Sequence, residues 1–137
     1  MTDDDFRMPS ADERTTIRRA LDGLKESVRQ FTRSGRAPFD PRVLDEAHAA
    51  WIARRGTPAG EDAMLTALGF ALGQHLVDAH KFRWIVLDDT GADGFAVQGG
   101  PDDAVIVRPV ALVRESHAAG GQRFFAPLAE KIRREAT

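Results

Sequence analysis

Phe82-Arg83-Trp84-Ile85-Val86-Leu87-Asp88 opens the second half of the chain, followed by Asp89-Thr90-Gly91-Ala92-Asp93-Gly94 and then Phe95-Ala96-Val97-Gln98. The first run is dense in aromatic and β-branched residues and almost continuously apolar. That predicts a central strand over 82–88 with both faces covered. The acidic, glycine-bearing segment has turn chemistry, and 95–98 reads as a second, shorter strand. Gly99-Gly100-Pro101-Asp102-Asp103 is another turn, and Ala104-Val105-Ile106-Val107-Arg108 a third strand ended by Pro109. Links this short join antiparallel neighbours, because a parallel pair needs a crossover of about a dozen residues or more. The spacing therefore predicts a three-stranded antiparallel β-meander.

Upstream of Phe82 the apolar period changes from that of strands to that of helices. Met1-Thr2-Asp3-Asp4-Asp5 is acidic, and residues 1–9 read as a disordered leader. Ser10 and Glu13 are spaced as a capping box, and Ile17, Leu21, Leu24, Val28 and Phe31 form one apolar stripe on a helix over 10–34. Ser34-Gly35 would stop it. Asp40-Pro41 is an N-cap with proline in the first helical position, starting a helix over 41–55. That helix presents Leu44, Ala47 (or His48), Trp51 and Ile52, and Gly56 closes it. After a connector over 56–60, Glu61 and Asp62 suit the positive end of a helix over 61–79. Downstream of the meander, 110–117 reads as a short helix and 124–136 as a longer one with Phe125, Leu128 and Ile132 inward. The expected fold class is α+β, one domain over 10–137.

Gly69 and Gly73 lie four apart on the third helix. Each costs about 1 kcal/mol of helix propensity relative to alanine, so something must approach the backbone closely there. A packed element satisfies that need, and so would a ligand lying on bare backbone.

Composition excludes several classes. With 42% hydrophobic and 29% charged residues and a net charge of −2, the chain resembles neither a disordered tail nor a polycation built for nucleic acid. It has no cysteine, so disulfides, iron–sulfur clusters and thiolate zinc sites are out. The acidic start lacks the pattern of a secretory signal, and no run approaches the roughly 18 apolar residues of a membrane span. These features point to a cytoplasmic protein without a membrane or nucleic-acid partner.

Leu68-Gly69, Leu72-Gly73, Arg83-Trp84 opening a strand, an acidic-Gly hairpin, Arg108-Pro109 ending a strand, and Phe124-Phe125 introducing a last helix occur in that order. Over residues 68–132 this order resembles a bacterial family described only as a domain of unknown function, number 3806. The resemblance implies the fold and carries no catalytic residue with it. The helical N-terminal half shows no motif of the family.

The residue types that carry chemistry are poorly arranged for it. His75 and His80 are five apart, which would place them on different faces of a helix, whereas helical zinc ligands sit four apart. Asp88–Gly94 has acids and glycines, but an EF-hand counted from Asp89 finds Gly91 and Gly100 where ligands belong. No serine lies in a nucleophile elbow, and no glycine cluster precedes a helix as in phosphate-binding loops. The basic residues from Arg14 to Arg36 are interleaved with acids, as on a solvated helix face. No metal, cofactor or catalytic residue is assigned.

Candidate binding residues are Trp84, Arg83, Arg108 and Trp51. Trp84 alternates with Phe82 and Val86 on one side of the first strand, where it is either plain core or the wall of an interface groove. Arg83 and Arg108, both read as intrastrand, would point into such a groove, and Trp51 would help cover the sheet. The expectation is a non-catalytic protein-interaction module, adaptor-like or immunity-like, partnered by another protein or by a second copy. The alternative is a small-molecule-binding domain with its pocket between the sheet and the 61–79 helix. An enzyme comes third, and would need a cleft in which His48, His75 or His117 meets a carboxylate.

Overall fold

The computed structural model describes residues 6–31, 39–54 and 58–137. Three helices, α1 (Ala11–Phe31), α2 (Pro41–Ala53) and α3 (Pro58–His80), precede strands β1 (Arg83–Val86), β2 (Phe95–Gly99) and β3 (Val105–Val107). Two further helices, α4 (Pro109–Ala118) and α5 (Phe125–Glu135), complete an α+β fold. The sheet is an antiparallel meander in the order β1-β2-β3, with Trp84 opposite Val97 and Gln98 opposite Ile106.

Local chemistry sets the helix starts. The Ser10 backbone N–H donates to Glu13 Oε1 at 2.8 Å and the Glu13 N–H to Ser10 Oγ at 3.2 Å, the reciprocal pair of a capping box. Asp40 accepts from the Arg42 N–H at 2.9 Å, with Pro41 in the first turn. Pro58 opens α3, so part of the segment expected as a connector is helix. The expected stops at Ser34-Gly35 and Gly56 lie outside the described residues.

β1 is an edge strand, not the central one. In a meander the second strand takes the middle, and β2 is buried throughout its length. The outer side of β1 is met by residues expected to belong to a disordered leader. The Arg7 N–H donates to the Val86 carbonyl at 3.0 Å, and the Val86 N–H donates to the Arg7 carbonyl at 2.8 Å. The Arg7 guanidinium then ties Glu13 (2.6 Å) to Asp89 (2.8 Å), joining the leader, α1 and the first hairpin.

The core lies between α3 and the sheet face that carries Trp84, Val86, Phe95 and Val97. Phe70 meets Trp84 and Phe95 edge-on, with centroids 6.0 and 5.4 Å apart. The glycines of α3 make this approach possible. A Cβ at Gly69 would stand 2.5 Å from Val110 Cα, and one at Gly73 would overlap the Trp84 indole and press on Pro109. At these two glycines the space between α3 and the sheet is therefore filled by Val110, Trp84 and Pro109. The opposite sheet face is not continuously apolar: Ile85 and Ala96 are buried on it, but Arg83 and Gln98 bond to each other there and Ile106 is exposed.

Candidate functional site

The four residues singled out from sequence do not converge on one groove. Trp84 is buried, and its Nε1–H donates to Gln74 Oε1 at 3.1 Å, while Gln74 Nε2 donates to Asp78 at 2.9 Å. Arg83 lies on the other face, held by Gln98 Oε1 at 2.8 Å and by Asp103 at 3.7 Å, with the Phe6 ring 5.7 Å away. Arg108 follows β3 instead of lying in it, and grips the first hairpin through Asp88 Oδ2 (3.1 Å) and the Asp93 carbonyl (3.3 Å). Trp51 is buried beside His48 and His117, far along the chain from the sheet. Arg83 bonds across to β2 and its following turn, Arg108 holds the first hairpin and also lines the groove beside β3, and both tryptophans are packed.

What remains open is β3. Among the described residues it pairs with β2 alone, so its outer edge offers unpaired backbone groups. Ile106, at its centre, is 47% exposed, which is unusual for an isoleucine between two valines. α4 packs chiefly on α3 and α5 on α2, which leaves a groove of about 320 Å³ between them that reaches β3. Val107, Leu112 and Leu128 give it an apolar floor, and Glu115, Lys131 and Glu135 a rim of both signs. An edge strand beside an apolar groove can accept an extended chain, the backbone taking the hydrogen bonds and alternate side chains the groove. The sequence run Val105-Ile106-Val107 held this signal, but its apolarity reads equally as core.

A second constellation was missed as a unit. His48 Nε2 and His117 Nδ1 are 3.1 Å apart, and His117 Nε2 lies 3.4 Å from Glu61 Oε1. The three residues come from α2, α4 and the first turn of α3. The Phe124 and Phe125 rings meet His48 edge-on, at 5.1 and 5.9 Å between centroids. Burial, with help from the neighbouring imidazole, pushes His48 down to about 4. A carboxylate does meet a histidine here, as an enzyme would require. The His48 ring is nevertheless fully buried, and its Nδ1 has no hydrogen-bond partner among the described residues, so no substrate reaches the inner end of the array. His75 and His80, expected on different faces, stand edge-on with centroids 5.6 Å apart at the C-terminal end of α3. No group of three or more metal-ligating side chains is found among the described residues, and no helix among them is long and apolar enough to cross a membrane.

Fold and surface together define a small α+β domain with an open edge at β3 and a histidine pair, His48 buried and His117 half-buried. Residues 42–123, more than half of the chain, match the family described as Domain of unknown function (DUF3806), and the chain belongs to that family. No curated protein and no solved structure matches it. The match starts further upstream than the resemblance seen in the sequence, taking in α2 with His48 and Trp51, and it stops before α5. The family thus reaches into the N-terminal helices that carried no recognisable motif.

Proposed function

We propose that the chain is a non-catalytic protein-interaction module that takes an extended segment of another protein along the β3 edge. The observation that carries this reading is Ile106, exposed on a strand paired along one edge only and continuous with the apolar groove between α4 and α5. Every other apolar side chain of β1 and β2 is buried, so exposure is confined to the strand whose backbone is also free. A partner segment with apolar residues at alternate positions would fill the groove, and charges of both signs would meet the mixed rim. Adaptor and immunity-like roles both require such a surface and need no catalytic group.

A photo-crosslinking residue at position 106, with a control at exposed Arg29, tests the reading. The expected result is an adduct from position 106 alone, mapping to one extended segment of a partner. A synthetic peptide of that segment then binds the parent protein and loses at least tenfold in affinity against Ile106→Lys, about 1.4 kcal/mol. An adduct to the chain's own β3 identifies the partner as a second copy. Equal labelling from both positions, or a peptide indifferent to Ile106→Lys, contradicts the proposal.

A further inference from the structure

We propose that Glu61, His117 and His48 form a proton-operated latch between α2 and the α4–α5 junction, closed when the histidine pair carries two N–H protons and released by a third. The argument rests on where protons can sit. Glu61 faces His117 Nε2 at 3.4 Å, so that nitrogen holds a proton and His117 Nδ1 is left as an acceptor. His48 Nε2, 3.1 Å away, must then be the donor, and His48 Nδ1 is a bare lone pair. An unpaired lone pair among rings is tolerable, and in the two-proton state one N–H is bonded to the other ring and the second faces the Glu61 carboxylate.

No three-proton state gives every N–H such a partner. With His48 Nδ1 still bare, His48 Nε2–H and His117 Nδ1–H confront each other and their hydrogen bond is lost. Leaving His117 Nε2 bare produces the same confrontation and gives up the proton facing Glu61. In the other two arrangements a proton sits on His48 Nδ1, which has no acceptor among the described residues. Uptake of one proton by the pair therefore breaks the link from α2 to α4 or buries an unpaired donor. His48 titrates low, in keeping with this penalty.

The charged groups around the pair come from several elements. α3 supplies Glu61, and α2 supplies Asp45, which accepts from the Phe125 N–H (2.8 Å) and the Ala126 N–H (3.1 Å) and so caps α5 from outside it. Arg123, in the α4–α5 connection, acts on Asp45, while Phe124 and Phe125, at the start of α5, set phenyl rings against His48. The face of α2 that bears His48 thus also holds the start of α5. Release at His48 acts on both helices that wall the groove, and this inference stands whether or not β3 takes a partner.

Long-range nitrogen–proton NMR of the full chain, titrated from about pH 7.5 to about pH 4, tests it. The expected result is Nε2–H on both rings at neutral pH. On acidification the pattern of N–H protons on the pair should change in one step, with amide exchange near His117 and Phe124–Ala126 rising at least tenfold. His48→Phe keeps the ring packing and should lack the step. His117→Gln keeps an acceptor for His48 Nε2–H and should move the step to lower pH. A proton on His48 Nδ1 at neutral pH overturns the proposal without any variant. So do rings that titrate while α4 and α5 stay unchanged, and so does the same step in His48→Phe, which would belong to Asp45.

Discussion

Gly69 and Asp45 mark the two limits of what single residues disclose. A glycine pair inside a helix is locally anomalous, and the anomaly could be read as close packing before any neighbour was known. The neighbour is the α4 backbone at Val110, which cannot yield as a flexible side chain would. Gly69→Ala is therefore expected to destabilise by about 1–3 kcal/mol, overriding the roughly 1 kcal/mol gained in helix propensity. Urea unfolding checks this, and a rise in midpoint would contradict the packing account. Asp45 had no such signature, because an acidic residue on a helix normally faces water. Its two bonds reach Phe125 and Ala126, 80 and 81 residues away. Asp45→Ala should cost about 1–3 kcal/mol by leaving buried N–H groups at the α5 terminus unpaired, with faster amide exchange at Phe125 as the local readout.

Elements were legible where their signals were local. The capping box of α1, the Asp-Pro start of α2 and the turn chemistry between strands all act within a few residues. The position of β1 in the sheet was not, because its apolar density reflects cover by α3 on one face and by other residues on its second face and outer side. A pattern of burial cannot tell a central strand from an edge strand with a bridge beside it. Arg7, within the expected leader, was illegible for the same reason: its partners lie at residues 13, 86 and 89, while residues 1–5 lie outside the described residues. Deleting residues 1–9 should leave the Val86 N–H without its acceptor, and hydrogen exchange at that amide should accelerate at least tenfold while Val97 stays protected. Unchanged exchange at Val86 would contradict the bridge.

The whole molecule is the scale at which pH acts. His48 titrates at about 4 in the folded state, below its ordinary 6.5, so between those values the unfolded chain binds a proton that the folded chain refuses. Stability is thus full above about pH 6.5 and declines toward pH 4, by at most about 1.4 kcal/mol per pH unit for this one group. His75, also lowered chiefly by burial, adds in the same sense. Asp45 works in the opposite sense, since burial raises its pKa and the folded state takes up that proton first. Urea midpoints measured across this range should fall with pH, and the fall should shrink in His48→Phe. The binding edge belongs to this scale too. Its exposed isoleucine was visible in the sequence only as one more apolar residue, because exposure is decided by which strand the topology leaves last. The most direct measurement is amide exchange of β3 with and without the partner segment captured at position 106. The account predicts at least tenfold slower exchange at the Val105–Val107 amides that face outward, with α1 unaffected. Protection confined to α1 and α3, with β3 exchanging as before, would contradict it.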